Sequence, residues 1–207
     1  MTATDALDLA SVFVFATSGA LVASRQQLDP VGFAFVACLT AVGGGTVRDV
    51  LLDRNPVFWI AEPINIAAAL LAAALAFLIA PQLESRIKVI RWLDAVALSV
   101  AVVAGVSAAL EMGASPMIIT IMGIVTGTAG GLMRDVVCND VPLVLRHGEL
   151  YVTAAFAGSL TSALVAQIIP DPTVYLLAGA LACFILRAGS LLFGWALPNY
   201  RHKPPQS

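Results

Sequence analysis

Long apolar stretches alternate with short polar breaks along the chain and divide it into seven segments. A helix needs about 20 mostly apolar residues to cross the hydrocarbon of a bilayer. The stretches of that kind run roughly over Leu7–Ser24, Val31–Leu52, Ile64–Ala80, Leu93–Leu110, Met117–Cys138, Tyr151–Ile169 and Thr173–Leu197. Gln26-Gln27-Leu28-Asp29-Pro30 ends the first, Pro81 through Arg91 reads as a polar linker, and Pro170-Asp171-Pro172 separates the sixth from the seventh. The runs are too long and unbroken for the alternating pattern of a membrane barrel. The pattern predicts an all-α integral membrane protein, a single transmembrane domain over residues 1–207.

The pattern also occurs twice. A shift of 86 residues lays Leu7-Asp8 on Leu93-Asp94, Gly19 on Gly105, Pro30 on Pro116 and Thr40 on Thr126. It lays Gly44-Gly45 on Gly130-Gly131, Arg48-Asp49-Val50 on Arg134-Asp135-Val136, and Pro56 on Pro142, with no gap between Asp8 and Pro56. Matches on glycine, proline and charge carry weight in a chain where chance easily matches Ala, Val and Leu. The first repeat covers about 7–80 and the second about 93–169, with an extra helix at about 173–197. Three spans per repeat start the second repeat on the opposite side, so the repeats are inverted and the architecture is 3 + 3 + 1. Inverted repeats in a membrane protein point to a transporter or a channel.

Composition agrees. The chain is 59% hydrophobic and 12% charged, with a mean hydropathy of +0.92, whereas soluble domains carry roughly 25% charge. A net charge of −2 and the lack of a basic run argue against nucleic-acid binding. Cys38, Cys138 and Cys183 are far apart and read as small core residues. No pair has metal-ligand spacing, and His147 and His202 sit at span ends, so no metal beyond a permeating cation, no cofactor and no enzymatic activity is expected. Asp5 and Asp8 precede the first apolar run where a signal peptide would carry basic residues.

Positive charge gathers on the cytoplasmic side of membrane proteins. With the N-terminus outside, the inner segments hold Arg25, Arg86, Lys88, Arg91, Arg146, Arg201 and Lys203, and the outer ones hold only Arg54. The expected orientation is therefore N-outside, C-inside.

Spans two and five carry the candidate chemistry. Gly43, Gly44 and Gly45 precede Arg48-Asp49, and Gly127, Gly130 and Gly131 precede Arg134-Asp135. Each interior glycine costs a helix roughly 1 kcal/mol relative to alanine, so a kink or unwound turn is expected at both clusters. Carbonyls released there suit a cation shedding part of its water, provided they face protein or a watery cavity. Close helix packing is the rival reading of the same glycines. Charges at this depth need partners. Successive helix residues point about 100° apart, so Arg48 is expected to pair with Asp8 rather than Asp49, and Arg134 with Asp94. Asp49 and Asp135 would then face a cavity. The alternative is that all six charges only fasten helix ends together.

Thr17, Ser18, Thr40, Thr46, Thr126 and Thr128 offer hydroxyls along the same spans, although each singly tends to bond its own helix backbone. Asn65 and Glu149 head spans three and six, where capping is the default role. Arg187, the one charge in span seven, is expected to snorkel to the inner interface.

Gly43-Gly44-Gly45-Thr46-Val47-Arg48-Asp49-Val50-Leu51-Leu52, repeated loosely from Gly127 to Val137, resembles the prokaryotic relatives of the trimeric intracellular cation (TRIC) channels. The same bacterial family is also labelled a putative glycine transporter. The likeness covers nearly the whole chain. It implies a multi-pass protein of the bacterial or archaeal inner membrane, a homotrimer among membrane lipid, and a pore in each protomer permeable to potassium and other monovalent cations. It also implies that spans two and five line that pore. The Lys-Glu-Val motif of the animal channels is absent, so their lipid gating does not carry over. A secondary transporter of glycine or another small amino acid is the alternative function. Small residues in span one (Ser11, Gly19, Ala23) and span four (Ala97, Gly105, Ala109) are expected to form the contact between protomers.

Overall fold

The computed structural model describes residues 3–82, 86–146 and 148–198. His147, His202, Arg201 and Lys203 lie outside the described residues, as does the Arg86 side chain. The helices are α1 (Ala3–Arg25), α2 (Pro30–Leu51), a one-turn α3 (Phe58–Ala61), α4 (Ile64–Ile79), α5 (Arg86–Glu111), α6 (Pro116–Val137), α7 (Val152–Ile168) and α8 (Pro172–Phe193). No strand occurs among the described residues. Six helices are long and apolar enough to cross a membrane, and α7 is apolar but shorter, at 17 residues.

Start signals act as expected for proline-led helices. Asp29 caps α2 by accepting a hydrogen bond from the Gly32 amide, and Asp171 caps α8 through the Thr173 amide. Two boundaries differ from the hydropathy pattern. α5 begins at Arg86, inside the stretch read as linker, because nothing there breaks a helix once Pro81 is passed. α8 stops at Phe193 instead of Leu197, because Gly194 adopts a left-handed φ of 69° and its amide closes onto the Ser190 carbonyl.

The centre of the fold is an antiparallel pair, α1 and α5. Thr4 near the start of α1 bonds Ser107 and Glu111 near the end of α5, and Ser18 bonds Asp94 near the other end. α1 packs on α2 and α4, α5 packs on α6 and α7, and α2 crosses α6. α8 packs on α7 and α5 and has no counterpart in the first half. Within the most apolar window of each helix, 78% of α5 and 61% of α1 is buried, against 28% of α8. This corrects the expected protomer contact. Ser11, Gly19, Ala23, Ala97 and Ala109 are buried inside the single chain, and Gly105 packs on Met122 and Thr126 of α6. Their small size serves the interior, so α1 and α5 have little surface left for a neighbour.

Candidate functional site

Both glycine clusters lie within uninterrupted helix, since α2 is helical through Gly43, Gly44 and Gly45, and α6 through Gly127, Gly130 and Gly131. The expected unwound turn is therefore corrected, and the glycines serve close packing. A Cβ on Gly44 would collide with the Thr126 backbone carbonyl, and one on Gly130 with the Thr40 carbonyl. A Cβ on Gly43 would stand 3.4 Å from the Gly130 Cα. The two helices thus touch backbone to backbone where they cross. Main-chain approach of this kind offsets the low helix propensity of glycine. Thr40 and Thr126 flank the crossing, and their hydroxyls donate to the carbonyls of Val36 and Met122 one turn back. Thr17, Thr46 and Thr128 do the same on their own helices. The cavity at the crossing, between Gly44, Thr40 and Thr126, measures about 10 Å³, room for one water at most.

A charged cluster lies on each side of the crossing. In the first, Arg48 makes a two-pronged pair with Asp8, at 2.8 and 2.9 Å, while its Nε donates to Asp49 Oδ1 at 2.8 Å. In the second, Arg134 grips Asp94 at 2.8 and 3.0 Å and its Nε donates to Asp135 at 2.8 Å. The Asp8–Arg48 and Asp94–Arg134 pairs are the ones expected from sequence. The neighbouring pairs are a correction, because the 100° rule describes Cβ directions alone. A guanidinium offers two edges, and with its Nη fork on another helix its Nε edge turns back to the adjacent carboxylate. All six side chains are nearly fully buried.

Asp49 and Asp135 are not left free, which is a further correction, although Asp49 borders a recess of about 90 Å³. The second oxygen of Asp49 accepts the Phe58 amide at 2.8 Å, and that of Asp135 accepts the Leu143 amide at 2.9 Å. Each therefore ties the loop after its helix back to the cluster. The short elements these loops form, α3 and the 3-10 turn Leu143–Leu145, had no hydrophobic period to betray them. The Phe58 ring also covers Arg48, with Cζ 5.4 Å from its centroid. Because α1 contributes Asp8 to one cluster and Ser18 to the other, ten residues on, the clusters stand roughly 15 Å apart along its axis.

Ser18 is a residue that the repeat itself could not single out. Its hydroxyl donates to Asp94 at 2.6 Å and accepts from Arg134 at 2.8 Å. Arg187 does not snorkel. It is fully buried, bonded to Glu149 at 2.6 Å and stacked over Tyr151 with Cζ 5.2 Å from the ring centre. Glu149 accordingly serves an ion pair instead of a helix cap, with Arg91 on its other oxygen at 3.7 Å. Asn65 sits in the first turn of α4, donating to the Glu62 carbonyl at 3.0 Å. No group of three or more metal-ligating side chains occurs among the described residues.

Comparison with known proteins bears on this arrangement. The family model described as "Glycine transporter" matches the chain twice, over residues 5–81 and 91–167. The chain is 35% identical to the inner membrane protein YadS of Escherichia coli over 200 residues, 94% of either chain. It is 36% identical to a UPF0126 membrane protein of Vibrio cholerae over 199 residues, 94% of this chain and 81% of that one. Among solved structures it resembles the TRIC trimeric intracellular cation channel orthologue from Rhodobacter sphaeroides, with 40% identity, a TM-score of 0.90, and coverage of 94% of this chain and 100% of that one. A prokaryotic TRIC channel in 0.5 M KCl matches with 26% identity and a TM-score of 0.86, over 94% of this chain and 98% of the other. The chain is thus an integral membrane protein of the family described as Glycine transporter, and it shares its fold with the TRIC cation channels.

Proposed function

We propose that this protein is a passive cation channel favouring potassium, with its conduction path inside each protomer along α2 and α6. The observation that carries this reading is the likeness to the Rhodobacter TRIC orthologue along nearly the whole chain. The geometry supports it in two ways. Each cluster combines two carboxylates with one guanidinium, so both ends of the path have a formal charge of −1 and favour cations. Between them the path is closed where α2 and α6 touch, leaving the roughly 10 Å³ cavity as its remnant. Conduction then requires the helices to separate at Gly44 and Gly130.

The matched halves act as inverted repeats, 7–80 and 93–169, with α8 as the added helix. The N-terminus lies outside and the C-terminus inside the bacterial inner membrane. Arg25, Lys88, Arg91 and Arg146 fall at one end of the helices and Arg54 at the other, which supports that orientation. The protein assembles as a homotrimer, as the TRIC name implies for its relative. The family description favours a second reading, a secondary transporter of glycine. Purified protein in planar bilayers separates the two. Unitary potassium currents without any substrate are the expected result. Saturable glycine uptake into liposomes with no such currents overturns it.

A further inference from the structure

Among the matched positions at which the two mouths of the proposed path differ, one is buried and polar in both halves. Asn65 of the first half falls on Tyr151 of the second under the 86-residue shift. Both are buried, and both present a polar atom with no hydrogen-bond partner among the described residues, Asn65 Oδ1 and Tyr151 Oη. Their surroundings are opposite. Tyr151 lies under the Arg187 guanidinium and close to Arg134. Asn65 lines two adjoining recesses, of about 210 and 90 Å³, that it shares with Asp5 and Glu62; the smaller one also reaches Asp8, Asp49 and Arg54.

The Asn65 amide is oriented by its own contacts. Nδ2 is committed to the Glu62 carbonyl, so Oδ1 is the oxygen left over. Only 4% of the residue is exposed. A buried carbonyl oxygen with no donor calls for an occupant, a water or a cation. Asp5 and Glu62 border the larger recess, which Arg54 does not line, and raise the local cation concentration there. Among the described residues no three carboxylates converge closely enough to hold a metal, whereas a chelated divalent ion takes six or more oxygen ligands. A monovalent cation that keeps most of its water needs fewer.

We infer that this recess is a site for a partly hydrated monovalent cation at the mouth where α1 begins. Asn65 Oδ1 is its neutral ligand, and Asp5 and Glu62 supply the charge. The site gathers ions ahead of the closed crossing, and its role in transport rests on the channel reading. Thallium(I), a heavy potassium mimic, tests it directly. Crystals of the parent protein soaked in thallium acetate should show an anomalous peak within ligand distance of Asn65 Oδ1. The peak should vanish in Asn65→Leu and weaken in Glu62→Gln, which keeps the shape of an exposed side chain and tests the site even where Asn65→Leu does not fold. Bilayer conductance gives a second readout. Both variants should pass several-fold less current than the parent at low potassium and match it at high potassium, where bulk ions replace the gathered ones. No peak in the parent overturns the site, as does a peak that both variants retain. A parent that carries no current but shows a peak sensitive to these substitutions leaves the site standing and removes the channel.

Discussion

The clusters around Arg48 and Arg134 use the same three residue types at the same spacing, yet they are not copies. Around Arg134, Ser18 adds a hydroxyl bonded to both Asp94 and the guanidinium. The matched position in the other half is Ala104, whose side chain has no polar atom. Around Arg48, the Phe58 ring covers the guanidinium and Arg54 approaches Asp49 at 3.9 Å. The second cluster instead borders another buried arginine, Arg187, held by Glu149. Asp5 and Glu62 add carboxylates beside the first cluster, whereas Arg187 and Glu149 beside the second balance each other. Duplication preserved the interactions that hold three helices together and left the surroundings to diverge, so the differing residues are the ones to test for direction-dependent behaviour.

The largest effect is expected from removing either arginine. Arg48→Leu or Arg134→Leu leaves two buried carboxylates without their cation, a loss of about 3–5 kcal/mol. Thermal unfolding in detergent should show little folded protein for Arg134→Leu and a lower Tm for Arg48→Leu. Arg54 remains beside Asp49 in Arg48→Leu, so an equal loss in both would mean that Arg54 compensates nothing.

Next come the glycines. Gly44→Ala and Gly130→Ala drive a methyl into a backbone carbonyl across the crossing. Overpacking of this kind costs about 1–3 kcal/mol. Gly131→Ala meets the Tyr151 hydroxyl at 3.1 Å and Arg134 Nη2 at an ordinary 3.9 Å, with no backbone in the way, and should be milder. Melting curves of the three variants order them. Gly131→Ala as damaging as the others would show that glycine is needed for something besides helix contact.

Asp49→Asn and Asp135→Asn keep the shape but remove one charge from each mouth and replace one acceptor oxygen by a donor. Reversal potentials in a potassium chloride gradient should move toward that of a less cation-selective pore. The shift should be larger for Asp49, whose mouth holds the other carboxylates. The smallest effect is expected from exchanging the hydroxyl that only the second cluster has. Ser18→Ala removes a hydrogen bond worth about 1 kcal/mol and should lower the Tm by a few degrees. Ala104→Ser offers the first cluster the same hydroxyl and should recover part of that loss when combined with Ser18→Ala.

Six of the spans, the duplicated signature and the Asp8–Arg48 and Asp94–Arg134 pairs can be read from the chain alone. Each of these follows from a local quantity. An apolar run has a length, a proline has a position, and a buried arginine needs a carboxylate at the same depth. Tertiary structure decided what the glycines are for, because roughly 1 kcal/mol of helix propensity per site competes with contacts to a helix far away in sequence. Gly44 meets Thr126 and Gly130 meets Thr40, and no window along the chain contains both partners. It decided that Asp49 and Asp135 anchor loops, since the amides they accept come from turns with no periodic pattern. It also decided that Arg187 stays buried, because its partner Glu149 lies 38 residues earlier, outside the helix whose hydropathy suggested an interfacial charge. A side chain's depth can be read from its own segment, but its direction depends on which neighbour reaches it first.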